Sequence, residues 1–279
     1  MRIAALLLLV APGTVFAWGS KGHAVTAALA ERQLSAPAAS EVRRLLFGQP
    51  LSSVASLPDD WRGEEDRNPN LPKTGPWHFV SIPNETLKYD AARDCANDDC
   101  VVAQIEKFRA VLADRCKPDN ERQKALIYLT HFVGDVHQPL HAAKGMIRQA
   151  GGKMEPDRGG NLIQVTYKGA NSNLHSIWDS YIIEAGPETV DEYVQYLLDY
   201  EQRGRTPDEL EHGNSVEWAE ESHYAAIESA YDIGSGRLGS DYERRNAPIV
   251  YERLLRGGVR LCRILDDVLA PPAKKPDCK

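Results

Sequence analysis

Along most of this chain apolar residues recur at spacings of three and four, the repeat of a helix that buries one face. The pattern predicts helices over 23–34 and 36–48, the second capped by Ser35, then over 101–116 and 120–138, the latter ended by Pro139. It resumes over 174–185, 188–203, 214–231 and 243–269, with a bend near Pro248 in the last. Period-two alternation stands out in NLIQVTYKGANSNLH and predicts a short hairpin around 161–172. Residues 49–77 carry five prolines and little periodicity, so they read as a long ordered loop, the kind of segment that holds function on a rigid scaffold. No repeat of solenoid period is present. The expected fold class is all-α, a mostly helical single domain with a small β-hairpin.

The first seventeen residues stand apart. MRIAALLLLVAPGTVFA has one basic residue, an apolar run, a helix-breaking Pro-Gly and small residues on either side of Phe16. It reads as a secretory signal, residues 1–17, cleaved between Ala17 and Trp18, because the run is too short to span a bilayer. The domain is then expected over 18–279, in a secreted or periplasmic protein with no membrane association. Cysteine usage agrees with export: Cys95 and Cys100 predict a small disulfide loop, and Cys116, Cys262 and Cys278 offer a second bridge and one spare thiol. The formal net charge is −7; removing residues 1–17 takes away Arg2 and no acid, leaving 32 basic against 40 acidic residues, or −8. There is no basic run of the sort that binds duplex DNA non-specifically, so a polyanionic substrate must be attracted locally.

Local attraction has a candidate source in HFVGDVHQPLH, residues 131–141. On a helix His131 and Asp135 share a face, whereas His137 lies about 200° around from Asp135. Pro139 turns the chain, which lets His141 approach the same cluster from another direction. The neighbours Phe132, Val133, Val136 and Leu140 are apolar, and buried imidazoles and carboxylates need partners or a metal. A second pair, His175 and Asp179 in HSIWD, is again spaced for one helical face. Signal cleavage would free the Trp18 amine, which with its own carbonyl can chelate an ion, and His23 follows closely.

The chain resembles the zinc-dependent single-strand nucleases of fungi, with the plant bifunctional nucleases and bacterial relatives. The resemblance runs through nearly the whole mature chain, in WGSKGH, ASLPDDWR, PWHFVSIP, LTHFVGDVHQPLHA, DRGGN and NLHSIWD. It implies the phospholipase C/single-strand nuclease-like fold and three zinc ions. One would be held by Asp59, His78, His131 and Asp135, a second by the Trp18 amine and carbonyl, His23 and a bridging Asp135, and a third by His141, His175 and Asp179. Alignment on Arg62 selects Asp59 over Asp60. His137 falls at a position that is not a ligand, Asn161 lies on a loop near the site, and Phe79 is where the family stacks a nucleobase. The family's base-bonding acid or amide is replaced by Ser81. His212 and His223 receive no role.

The implied activity is endonucleolytic hydrolysis of RNA and single-stranded DNA to 5′-phosphate products, with 3′-nucleotidase activity on nucleotides. Three Zn²⁺ against Asp59, Asp135 and Asp179 give a pocket of about +3 on an acidic protein, and Arg62 and Asp59 are the expected catalytic residues. An N-terminal extension before Trp18 is expected to remove one ion and most activity. The alternative is a zinc-dependent phospholipase C, which usually closes its last site with His-x-x-x-Glu, where this chain has HSIWD. A zinc-storage protein would have no use for Arg62. No stable protein partner is expected, and the protein is expected to be a monomer.

Overall fold

The computed structural model describes residues 18–68, 70–149 and 151–270; the expected signal, residues 1–17, lies outside them, as does Cys278. Two helices carry the architecture because their sequences are apolar on more than one side. In α7 (Asp119–Val136) every residue from Ala125 to Val136 is buried, and such a helix must run through a core. In α13 (Ser240–Leu269) buried residues recur at every turn from Tyr242 to Leu269, and the helix runs unbroken through Pro248.

Around them the chain wraps in order: α1 (Ser20–Gln33), α2 (Ala36–Leu45), α3 (Leu51–Val54), α4 (Leu57–Arg67), α5 (Ala91–Asp94) and α6 (Val101–Ala113), which packs on α7. A short helix α8 (Leu174–Ser176) continues as π-helical turns over Ile177–Tyr181 and ends as α9 (Ile182–Glu184). Then come α10 (Val190–Tyr196), α11 (Pro207–Glu211) and α12 (Ser215–Ala225). The strands are minor: β1 (Met146–Arg148) pairs antiparallel with β2 (Met154–Pro156). β3 (Gln164–Tyr167) pairs antiparallel with β4 (Ala170–Asn173) and parallel with β5 (Arg237–Leu238). The structure is mostly helical, as the periodicity requires.

Two apolar clusters fill the interior. One gathers Ile105, Phe108, Tyr128, Phe132 and Leu265; the other gathers Trp18, Trp178, Ile182, Tyr193 and Leu254. α1 reaches α13 closely enough that a Cβ on Gly258 would lie 2.3 Å from the Leu29 side chain. That contact explains a glycine inside a helix, where it costs about 1 kcal/mol against alanine. Among the described residues no helix is long and apolar enough to cross a membrane.

The structure corrects the sequence reading in three places. Residues 49–77 are not a long loop: they contain α3, α4 and a 3₁₀ turn at Gly75–His78. Pro50 precedes α3, and Pro58 and Pro76 sit in the first turns of their helices, positions where the missing N–H is not needed. Ser35 precedes α2, but its hydroxyl donates to Asp266 Oδ1 at 2.7 Å instead of capping that helix. The hairpin β1–β2 and helix α11 were not foreseen. The Cys95–Cys100 disulfide is present; Cys116 is also disulfide-bonded, and Cys262 is a buried free thiol.

Candidate metal centre

Side chains from seven elements converge beside the C-terminal half of α7. That helix supplies His131 and Asp135, one turn apart and both fully buried. α1 supplies His23, α4 supplies Asp59, and the 3₁₀ turn supplies His78. Pro139 ends α7 and starts a second 3₁₀ turn, Pro139–Ala142, that carries His141. α8 supplies His175, and the π-helical turns supply Asp179. Three groups have donor atoms all within 4.8 Å of one another: His23 with His131 and Asp135, Asp59 with His78 and His131, and His141 with His175 and Asp179.

The groups merge at Asp135. Its Oδ2 lies 3.1 Å from His131 Nε2 and 3.2 Å from His78 Nδ1; its Oδ1 lies 3.4 Å from His141 Nδ1 and 3.5 Å from His23 Nε2. His78 Nδ1 and His131 Nε2 approach to 2.9 Å. Asp59 Oδ1 is 3.7 Å from His78 Nδ1, and Arg62 Nη2 reaches it at 3.2 Å. In the third group His175 Nε2 is 3.2 Å from Asp179 Oδ2 and His141 Nε2 is 3.9 Å from Asp179 Oδ1. Asp59 is buried and Asp60 exposed, so of the two acids of LPDDWR it is Asp59 that faces the donor groups.

Backbone carbonyls fix the ring orientations. His131 Nδ1 donates to Ala55 O at 2.8 Å, His141 Nδ1 to His78 O at 2.9 Å and His175 Nδ1 to Gly159 O at 2.6 Å. Donation through Nδ1 leaves each Nε2 as a lone pair facing the cluster, the tautomer a metal ligand needs. His137 contrasts with them. Its Nδ1 donates to Val133 O and its Nε2 accepts from Arg260, so neither nitrogen is left for an ion. Gly134 matters for access: a Cβ there would lie 2.8 Å from His23 Nδ1 and 3.7 Å from Trp18 Cδ1. Trp18 is fully buried, and the next residue, Gly19, donates its N–H to Asp179 O at 2.8 Å.

The chemistry of this donor set suits divalent cations. Among the described residues, both ring nitrogens of His23, His78 Nε2, both carboxylate oxygens of Asp135 and His141 Nε2 are buried with no hydrogen-bond partner. Burial pushes the Asp179 carboxyl up to about 6 and the His141 imidazole down to about 3. Burial alone would also raise Asp135, but the imidazoles of His131, His23 and His78 packed around it hold it well below the usual carboxylate range. Imidazoles around an ionised carboxylate are what zinc-type sites use. One imidazole lone pair serves one cation, whereas a carboxylate has two oxygens, so Asp135 is the residue suited to bridge.

Other residues missed or left open in the sequence now have places. Gln138, fully buried, donates from Nε2 to Asp179 Oδ1 at 2.6 Å and accepts from the Leu140 N–H, beside the turn made by Pro139. Its only sequence signal was a polar residue amid an apolar run. Phe79 is 42% exposed, so it is not core packing. Asn161 lies in the 157–161 loop with its amide donating to Arg158 O at 2.9 Å. His223 is buried between Ala142 O and Thr86 O, a brace beneath the second 3₁₀ turn.

Comparison with known proteins agrees with this geometry. The family model described as S1/P1 Nuclease matches residues 18–270. "Endonuclease 1" of Arabidopsis thaliana is 29% identical over 293 residues, covering 95% of this chain and 91% of that protein. "Nuclease S1" of Aspergillus oryzae is 25% identical over 283 residues, covering 92% and 94%. "Nuclease P1" of Penicillium citrinum is 32% identical over 175 residues, covering 59% and 58%. With a family match across the described domain and three merged donor groups inside it, the chain belongs to the S1/P1 nuclease family.

Proposed function

We propose that this protein is an exported endonuclease that uses three zinc ions to hydrolyse RNA and single-stranded DNA, leaving 5′-phosphate and 3′-hydroxyl ends, with 3′-nucleotidase activity on nucleotides. The reading takes residues 18–279 as one nuclease domain released by cleavage after Ala17. The observation that carries it is that Asp135, a member of one buried donor group, lies 3.2 Å from His78 and 3.4 Å from His141 of the other two, with Arg62 at their edge. In this reading the ligands are the Trp18 amine and carbonyl, His23, Asp59, His78, His131, Asp135, His141, His175 and Asp179. Bound zinc supplies an activated water and a concentrated positive charge for an anionic phosphodiester.

The chain's own residues do the rest. Arg62, held by Asp59 at 3.2 Å, is poised to pair with a non-bridging phosphate oxygen as charge develops there. Asp59 orients that guanidinium while its carboxylate belongs to the donor set. Exposed Phe79 offers a face on which an unpaired base can stack, which favours single strands over duplex. Asn161 supplies a polar group on the loop next to His175.

The test compares heat-denatured DNA, RNA and phosphatidylcholine as substrates for correctly processed protein, with metal analysis alongside. Release of 5′-phosphate nucleotides from denatured DNA and RNA, abolished by chelator and restored by zinc, is the expected result. Hydrolysis of phosphatidylcholine without nucleic-acid cleavage would transfer the protein to the phospholipase C reading.

A further inference from the structure

The hairpin β1–β2 is rooted at the centre yet takes no part in it. Gly145 N–H donates to Asp157 Oδ1 at 3.1 Å, and Asp157 N–H donates back to Gly145 O at 2.9 Å. Asp157, fully buried, also accepts from Gly159 N–H at 3.1 Å and from the Tyr231 hydroxyl at 2.7 Å. Gly159 is the residue whose carbonyl holds His175. On the other side, Lys144 follows His141 by three residues and its N–H donates to Ile82 O at 2.9 Å. The hairpin base is therefore fixed between two of the candidate ligands.

Its outer part carries cations without counter-charges, Arg148 Nη1 donating to the Gly152 carbonyl at 3.0 Å. The register pairs Met146 with Pro156 and Arg148 with Met154, which puts Met146, Arg148 and Met154 on one face. Met146 and Met154 are each 45% exposed. Lys144, Arg148, Lys153 and Arg158 fall within fifteen residues, and among the described residues none has a carboxylate within 4.0 Å. Elsewhere most cations are paired, as in Arg32–Asp191, Arg44–Asp119, Lys88–Glu220 and Arg245–Asp232. Of the two nearby acids, Asp157 is buried in the root and Glu155 bonds Gln149. On a chain of net charge −7, a cluster of unpaired cations beside exposed methionines is a surface prepared for an anionic partner with flat rings.

We propose that this hairpin grips the single-stranded polynucleotide beyond the cleaved bond, with Arg148 and Lys153 on phosphates and Met146 and Met154 against bases. The proposal rests on the nuclease reading above. The four steps of extended chain from Gly145 to Gln149, at ~3.3 Å each, reach about 13 Å, the length of about two nucleotides. Contact of this kind is independent of sequence, because phosphates and ring faces are common to all nucleotides.

The test uses correctly processed, zinc-loaded protein with two double variants, Arg148→Ala with Lys153→Ala and Met146→Ser with Met154→Ser. Each is assayed on a dinucleoside monophosphate and on a twenty-nucleotide single strand across a salt series, with a thermal melt to verify folding. The charge variant is expected to raise KM on the long strand roughly tenfold and to lower the slope of log KM against log salt by about 1.4, for two single-strand phosphate contacts at ~0.7 each. The methionine variant is expected to raise KM roughly threefold with the salt slope unchanged, as loss of base contact requires. Rates on the dinucleotide stay at the wild-type level. Equal losses on both substrates, or an unchanged KM and salt slope on the long strand, would overturn the proposal. Wild-type protein inactive on both substrates would instead overturn the nuclease reading.

Discussion

Removing the cations should destabilise this protein far more than removing a surface ligand would. Among the described residues, both ring nitrogens of His23, His78 Nε2, both oxygens of Asp135 and His141 Nε2 are buried without a hydrogen-bond partner. An unsatisfied buried polar group costs about 1–3 kcal/mol, so the set would cost on the order of 10 kcal/mol, comparable to the whole stability of a typical domain. Water entering the emptied pocket recovers part of this, which leaves an expected loss of roughly 5 kcal/mol on stripping the metals. For a domain of about 250 residues that is a fall in Tm of roughly 10–20 °C. The assay is a thermal melt of protein exhaustively treated with chelator, verified metal-free by elemental analysis, against the zinc-reloaded sample. A stripped protein melting within about 2 °C of the loaded one would refute the claim that cations satisfy these atoms.

Three further outcomes follow from particular contacts. Replacing Arg62 by Ala should lower kcat by about 10²–10³ while leaving zinc content intact, since Arg62 touches Asp59 from outside the donor groups. Gln138→Glu exchanges an N–H donor 2.6 Å from Asp179 Oδ1 for a like-charged oxygen; affinity for one ion should fall about 10–100-fold, read as partial zinc loss under mild chelation. Glu221→Gln strips the counter-charge from the buried Arg260 and Arg253, which Glu221 bonds at 2.7 and 2.8 Å. Because Glu221 is itself a third exposed, the expected loss at pH 7 is about 2–3 kcal/mol, less than for a fully buried pair. Burial alone would raise the Glu221 carboxyl, but the Arg260 and Arg253 guanidiniums hold it down to about 2. Its stabilisation is therefore complete above its ordinary value of 4.5 and is lost as pH falls toward 2. Urea melts at pH 7 and pH 3 should show a smaller acid loss in the variant than in wild type.

The sequence by itself determined the helical class, because a 3.6-residue repeat of apolar positions can be buried only as helices. It also determined the pairing of His131 with Asp135 and of His175 with Asp179, since spacing along one helix fixes a shared face. It misjudged residues 49–77, where prolines at helix starts look the same in a string of letters as prolines that break helices. Only the tertiary structure decided that Asp59 turns inward and Asp60 outward, because that depends on how α4 lies on α7. The same is true of the ring tautomers: Ala55, His78 and Gly159 accept from the candidate ligands His131, His141 and His175 through carbonyls that every residue possesses, so no residue type marks them. Gln138 and the rooted hairpin were hidden for a like reason. Distance in space between segments far apart in the chain is set by packing, and packing leaves no local signature in the sequence.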